Sequence, residues 1–531
     1  IPSRPCRRMA DLGQIARVFP VGEIAASSLR AALIPVFADQ GADFIGLNPL
    51  HALFTGDPER ASPFFPSDRR FLNPLTIAVE AVPGYREAMR RDVFVPTAIN
   101  EVDYRAAARA KLHILRAIHR RWRANEADIA MADRDAAARH ESAGGTPLAD
   151  FALFEALSNH MAGEGHGAGW TTWPAPYCDK TSPEVAAFKG AHADEIAFHA
   201  WLQYVTERQV KAAQDKALAA GMRIGLYLDL AVGAAPDGAA TWADPELMMT
   251  GVRVGAPPDL FSLDGQDWGL APLSPTVLQT RAHAPYRSVL DSVMAHAGAV
   301  RVDHAMGLER LFFIPEGALA VDGAYVRYEG LTDALVAASR THRTLAIGED
   351  LGVVPPGFRD RMAARRIFSM KIVGFERDGA GMRLPSSYAA DALACLSTHD
   401  IAPLEAWWRG DEIDLRYRLG RIDTDTVTAE EAARQEVKAR MLELAGLPPK
   451  RADDPIDEDI VVAFHRIVGR TRSALAAIRL EDVVGGRRLV NLPGTDREHP
   501  NWRNTLPVTV EEICRSTRLE RVMGAVREAR R

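Results

Sequence analysis

The sequence predicts an α/β protein built as a (β/α)8 TIM-type barrel, and three observations carry that prediction. Short apolar, β-rich runs recur at about eight places, centred near residues 44, 226, 301, 346, 371, 395, 481 and 490. Helical sequence separates most of them, an alternation that gives a parallel sheet covered by helices. Several of the runs end in acids, where a barrel keeps its reactive side chains. A chain of 531 residues, 47% hydrophobic and 25% charged, is long enough to bury such a core.

Taken in order, residues 1–37 form an atypical N-terminal segment, with "ARVFPVG" as the candidate first strand. The barrel is expected over 38–505, beginning with "GADFIGLNPLH" (41–51). The proline-rich stretch 57–85 reads as a structured loop over one barrel face. Residues 100–221 are almost wholly helical in pattern, broken once at "HESAGGTP", which makes them an inserted helical subdomain. The insertion stops at Gly221, a helix-terminating residue, and "MRIGLYLDLAV" (222–232) follows as a strand. Next come "AVRVDHA", "RTLAIGED", "IFSMKIVGF", "LACLSTHD", "LAAIRLEDVVG" (475–485) and "RRLVNLPGT" (487–495), and then a helical tail over 506–531.

Composition narrows the function. The net charge of −6 disfavours a nucleic-acid binder or a membrane-surface protein. The basic run from Arg116 lies within a helical pattern and reads as a solvated face. Cys6, Cys178, Cys395 and Cys514 show no paired spacing, so neither a disulfide scaffold nor a zinc site is indicated. No apolar run reaches the roughly 18 residues of a membrane span, and no secretory signal opens the chain. A reducing cytoplasm is the expected location.

Three apolar strands end in acids: "VRVDH" at Asp303, "LAIGED" at Glu349 and Asp350, and "LSTHD" at Asp400. A lone acid after a strand is more often a helix cap than a catalyst, and Asp350 fits that plain role. Three such endings, with Arg301 and His304 beside the first and His399 before the last, are harder to attribute to caps. Metal binding by His304, His399 and the acids is the rival, but no His-x-x-x-His or His-Glu-x-x-His spacing accompanies them. Acids converging at a barrel mouth suit glycosidic bond chemistry, which needs one carboxylate ionised and another holding a proton. Arg301, two residues before Asp303, points to the same side of the strand and favours ionised Asp303. Glu349 is then the proton carrier.

The chain resembles the 4-α-glucanotransferases, the amylomaltase or disproportionating enzymes of glycoside hydrolase family 77. The matching stretches include "GADFIGLNPLHALF", "SPFFPSDRRFLNPLTI", "VGAPPDLFSLDGQDWGLAPLSP", "VRVDHAMGLERLFFIP", "AIGEDLGVVP", "STHDIAPLEAWWRGDEI" and "NLPGTDREHPNWR". The resemblance implies a retaining double displacement, with Asp303 as nucleophile, Glu349 as general acid/base and Asp400 as transition-state stabiliser. It further implies that Arg301, His304, His399 and Asp237 contact the sugar. By the same resemblance the segment from Asp259 to Trp268 is a loop over the cleft, in which Phe261, Gln266 and Trp268 meet substrate. Packing alone is a plain alternative role for Trp268. The expected substrates are α-1,4-glucans such as maltooligosaccharides, glycogen or starch, with no cofactor or metal. An α-glucan hydrolase and an inactive glucan-binding remnant are the alternatives. The chain departs from the family in three ways. The Trp-Gly-Ile-Gly-Asp-Phe-like opening and the β-rich N-terminal domain of the longer branch are not found, and Phe64 stands where tyrosine is usual.

Overall fold

A computed structural model of the chain describes residues 8–11, 32–91, 101–258, 264–379, 381–495 and 498–531. Eight parallel strands close a barrel: β1 (Arg8–Asp11), β2 (Ala42–Gly46), β3 (Gly225–Leu230), β4 (Ala299–Val302), β5 (Leu345–Gly348), β6 (Phe368–Ile372), β7 (Ala392–Cys395) and β8 (Leu475–Arg479). Each strand pairs with the next in the chain, and β1 pairs with β8 to close the ring.

Two expectations about the strands are corrected. The stretch "ARVFPVG" lies outside the described residues, and Arg8–Asp11 takes the place of the first strand, pairing with both β8 and β2. Residues 487–495 form no strand; β1 already occupies the ring position beside β8. That stretch is apolar for another reason, since Leu489 and Leu492 bury against Ala402 and Ala406. "LAAIRLEDVVG" also divides. Its first five residues are β8, and Leu480–Val484 turns into helix with Glu481 and Asp482 in its first turn.

Strand periodicity explains the two faces of the barrel wall. Phe44, Tyr227, Ile347, Met370, Leu393 and Ala477 fill the interior. The alternate residues Ile45, Leu226, Leu228, Val300 and Val302 belong to a separate core between sheet and helices. Two residues beyond the inward Tyr227 comes Asp229, beyond Ala299 comes Arg301, and beyond Ile347 comes Glu349. The same alternation that buries the apolar interior therefore delivers charged side chains to the C-terminal mouth.

Between β2 and β3 run the helices α1 (Tyr104–Arg123), α2 (Met131–Gly163), α3 (Pro183–Ala191) and α4 (Ala193–Ala219). The turn-rich "HESAGGTP" appears as a break inside α2, where Gly145 takes φ 52° and Pro147 follows. Within the stretch expected as a loop, Asp68–Leu72 forms a short strand against His51–Ala52, and its Arg69 donates to the carbonyls of Ala231 and Val232 at 3.0 Å, tying that strand to the end of β3. A four-stranded antiparallel sheet, Ala324–Arg327, Arg310–Pro315, Val252–Ala256 and Gln266–Leu270 in spatial order, stands over the mouth and carries Trp268. Among the described residues, no helix is long and apolar enough to cross a membrane.

Candidate active site

Arg301 is the centre of the mouth. It is the register partner of Asp229 on β3 and of Ile347 on β5. Its Nη1 donates to both carboxylate oxygens of Asp229, at 2.8 and 2.9 Å, and its Nη2 lies 2.9 Å from Oδ1 of Asp303. One guanidinium is thus shared by two acids. A buried charge is tolerable only when paired in this way. Asp303 follows β4 directly, its N–H bound to the Leu230 carbonyl at 3.0 Å, and its side chain stays 20% exposed to the cleft.

Glu349 follows β5 in the equivalent position. Its oxygens accept the N–H of His304 at 3.0 Å and of Leu351 at 2.7 Å, so it is seated on the turn that carries Asp303. Burial pushes its pKa up to about 7, with Asp303 adding to the rise and Arg301 and the two N–H groups opposing it. His304 adopts φ 44°, an uncommon backbone for a non-glycine residue, and this turns its N–H toward Glu349. Burial lowers the pKa of its ring to about 4, helped by Arg310 and opposed by Asp303, so the imidazole is neutral near pH 7. Trp268 meets that ring edge-on at 5.0 Å and bonds Gln266 Oε1 through Nε1 at 3.1 Å.

Asp400 lies across the mouth, in the loop after β7, with 41% of its side chain exposed. Asn491 Nδ2 donates to Oδ1 at 2.8 Å, and His399 Nε2 lies 3.1 Å from Oδ2. Desolvation in the crowded mouth favours the neutral acid, but His399, Asn491 and Arg301 outweigh it and hold Asp400 below the usual carboxylate range. Phe64 stacks on His399 at 4.5 Å, and its ring centroid lies 5.9 Å from the Arg301 guanidinium carbon. The structure therefore gathers Arg301, Asp303, Glu349, His304, Gln266 and Trp268 on one side and Phe64, His399 and Asp400 on the other.

Asp237 is placed differently. Its carboxylate forms a fork with Arg60, at 2.8 and 2.7 Å, and Arg60 stacks over Phe54. Asp259 and Phe261 lie outside the described residues. Asp350 is structural but not the helix cap expected: the next helix, Phe358–Ala364, opens at Gly357, and Asp350 is fully buried and bound by Arg359, Ser369 Oγ and the Met370 N–H.

Sequence reasoning passed over Asp229, Asn491 and Trp502. Asp229 is the next-to-last residue of β3, within "LYLDL", two residues beyond the inward Tyr227, so strand alternation marked it. Asn491 was hidden by the reading of 487–495 as a barrel strand. Trp502, 5.5 Å from both Phe64 and His399, lies in the quoted motif "NLPGTDREHPNWR".

A parallel barrel with acids gathered around an arginine at its C-terminal mouth is the architecture of an enzyme, and paired acids of opposite proton affinity suit glycosidic bonds. Comparison with known proteins defines it further. The profile of glycoside hydrolase family 77, 4-alpha-glucanotransferase, matches residues 18–509, and the chain belongs to that family. It is 38% identical over 520 residues to the 4-alpha-glucanotransferase of Mycobacterium tuberculosis, spanning 92% of this chain and 70% of that protein. The Haemophilus influenzae 4-alpha-glucanotransferase is 33% identical over 499 residues, covering 89% and 71%. In three dimensions the chain is similar to amylomaltase from Corynebacterium glutamicum, with TM-score 0.85 and 30% identity over 98% of this chain and 75% of that one. It shares its fold with an amylomaltase from Streptococcus agalactiae solved with acarbose, at TM-score 0.79 and 17% identity over all of both chains.

Proposed function

We propose that this chain, an enzyme of the 4-alpha-glucanotransferase family, passes a segment of an α-1,4-glucan to another glucan or to glucose by retaining double displacement. Glu349 protonates the glycosidic oxygen as Asp303 attacks the anomeric carbon. The C–O bond breaks, the shortened glucan leaves, and the donor segment remains as an ester on Asp303. Glu349, now a carboxylate, takes the proton from a hydroxyl of the incoming acceptor. That oxygen displaces Asp303, forms the new glycosidic bond and restores both acids. Asp400 stays ionised and faces the positive charge that develops on the ring. His304, His399, Phe64, Gln266 and Trp268 bind the sugar, and Trp268 helps to exclude water from the ester.

The observation that carries this reading is the environment of the two acids. Glu349, 8% exposed, is held near neutrality by burial, while Asp303 faces Arg301 at 2.9 Å and remains open to the cleft. Incubation with maltotriose, followed by separation of the products by size, tests it. Glucose together with a ladder of longer maltooligosaccharides is expected. Reducing sugar without longer products would indicate a hydrolase, and unchanged maltotriose from folded protein would overturn both enzymatic readings.

A further inference from the structure

We infer that Trp502 is a positioning residue for the transfer reaction: it seats His399 and Asn491, the two partners of Asp400, and Tyr104 of the inserted helical subdomain holds it in place. The inference rests on the role proposed above for Asp400.

Both contacts that hold Asp400 lead back to Trp502. The ring of His399, whose Nε2 lies 3.1 Å from Oδ2, packs against two aromatic rings, Phe64 at 4.5 Å and Trp502 at 5.5 Å. Phe64 itself rests on Trp502 at 5.5 Å, so one indole backs both side chains. Asn491, which donates to Oδ1, lies in neither helix nor strand. It is bracketed instead. The Trp502 N–H donates to the Val490 carbonyl at 2.7 Å, and Asn501 Oδ1 accepts the Leu492 N–H at 2.8 Å. A hydrogen bond on each side of Asn491 therefore runs to the Asn501–Trp502 pair.

The backbone of Trp502 sets it apart from an ordinary core residue. Its φ is 66°, a left-handed conformation that a bulky side chain rarely adopts and that persists only where the surroundings impose it. Here they do. Tyr104, the first residue of α1, donates its hydroxyl to the Trp502 carbonyl at 2.5 Å. The residues that follow are held as well: the Val102 N–H donates to the Arg503 carbonyl at 2.7 Å, and Glu101 bridges to Asn504. The Asn504 amide donates to the Leu489 carbonyl, which ties the same frame to the stretch that carries Asn491. Trp502, 3% exposed, is thus pressed between the start of the insertion and the rings of Phe64 and His399. Tyr104 is buried, and its hydroxyl acts on Asp400 through Trp502.

The test measures kcat and KM for maltotriose in the full chain carrying Tyr104→Phe, Trp502→Gly, or both. Glycine accepts φ 66° without strain, so Trp502→Gly removes the ring and spares the backbone. It should lower kcat about 10- to 100-fold with KM within about threefold, because Asp400 acts on charge that develops only as the bond breaks. Tyr104→Phe should lower kcat about three- to tenfold, again with KM little changed. In the Trp502→Gly background the same change should cost less than about twofold, since its route to Asp400 is gone. Parental kcat in Tyr104→Phe overturns the inference, as does an equal cost of that change in both backgrounds or a loss carried by KM. A Trp502→Gly enzyme that loses thermal stability but keeps kcat also overturns it. If Trp502→Gly does not fold, Tyr104→Phe decides alone: a lower kcat at constant KM supports the inference, and parental kcat ends it. Failure of the underlying role is distinguishable, since Asp400→Ala would then retain parental kcat whatever Trp502 does.

Discussion

The two sides of the barrel mouth hold acids in opposite ways. On the β3–β5 side, Glu349 is buried beside Asp303 and Arg301, and burial raises its pKa to about 7. Across the mouth, Asp400 is 41% exposed, yet His399 and Asn491 hold its affinity for a proton below the usual range. The side chains differ by one methylene. What separates them is whether the environment offers positive and donor groups faster than it removes water. The buried side supplies a proton near neutral pH, and the open side supplies a permanent negative charge. Bond cleavage with retention needs both.

The largest expected effect breaks the buried side. Asp303→Ala should lower maltotriose turnover about 10,000-fold or more, because it removes the carboxylate that forms the ester. Its thermal midpoint should stay near the parent's, since Asp303 is the exposed partner of Arg301; residual turnover near the parent level would refute the assignment.

Glu349→Gln should cost roughly 100- to 10,000-fold in kcat on natural glucans, and far less on a donor whose leaving group needs no proton. The same variant has a signature in stability. The folded pKa of Glu349 lies near 7 and its ordinary value is 4.5, so the unfolded chain gives up this proton first as pH rises. Parent stability attributable to Glu349 is full below pH 4.5 and is lost progressively up to about pH 7, by on the order of 3 kcal/mol. Glu349→Gln lacks this dependence. Its thermal midpoint relative to the parent should therefore rise between pH 4.5 and 7 and level off above; a difference that is flat with pH would contradict the burial account.

Smaller effects belong to the open side. Asn491→Ala removes the amide 2.8 Å from Asp400 and should lower kcat about tenfold, without moving the basic limb of the pH profile. A moved limb would mean that the two sides are not independent. Phe64→Tyr keeps the stacking on His399 and adds one hydroxyl. It should lower KM for maltotriose by about threefold at most, with kcat unchanged.

Much of the buried side was legible in the sequence because strand periodicity and chemistry coincide there. Arg301 and Asp303 are two apart on "VRVDH", so they share a face, and Glu349 ends a strand of the same kind. Asp229 obeyed the same rule and was passed over, because "LYLDL" reads first as an apolar strand. The open side was less legible because loops build it. Asn491 sits in an apolar stretch whose leucines bury against Ala402 and Ala406, and local pattern could not tell that burial from a barrel strand. Strand β1 shows the converse. "RMAD" is half charged and lacks a β-rich pattern, and its identity as a strand comes from pairing with Ala477–Arg479 and with Ile45 and Gly46, partners far away in the chain.

The division of labour between the acids is tested most directly by trapping the ester. Glu349→Gln is incubated with an α-maltosyl fluoride, whose leaving group needs no protonation, and the protein is digested and its peptides weighed. A maltosyl adduct on the peptide containing Asp303 is the predicted result. An adduct on Asp400 or Asp229, or release of the fluoride by folded variant with inverted configuration and no adduct, would contradict it.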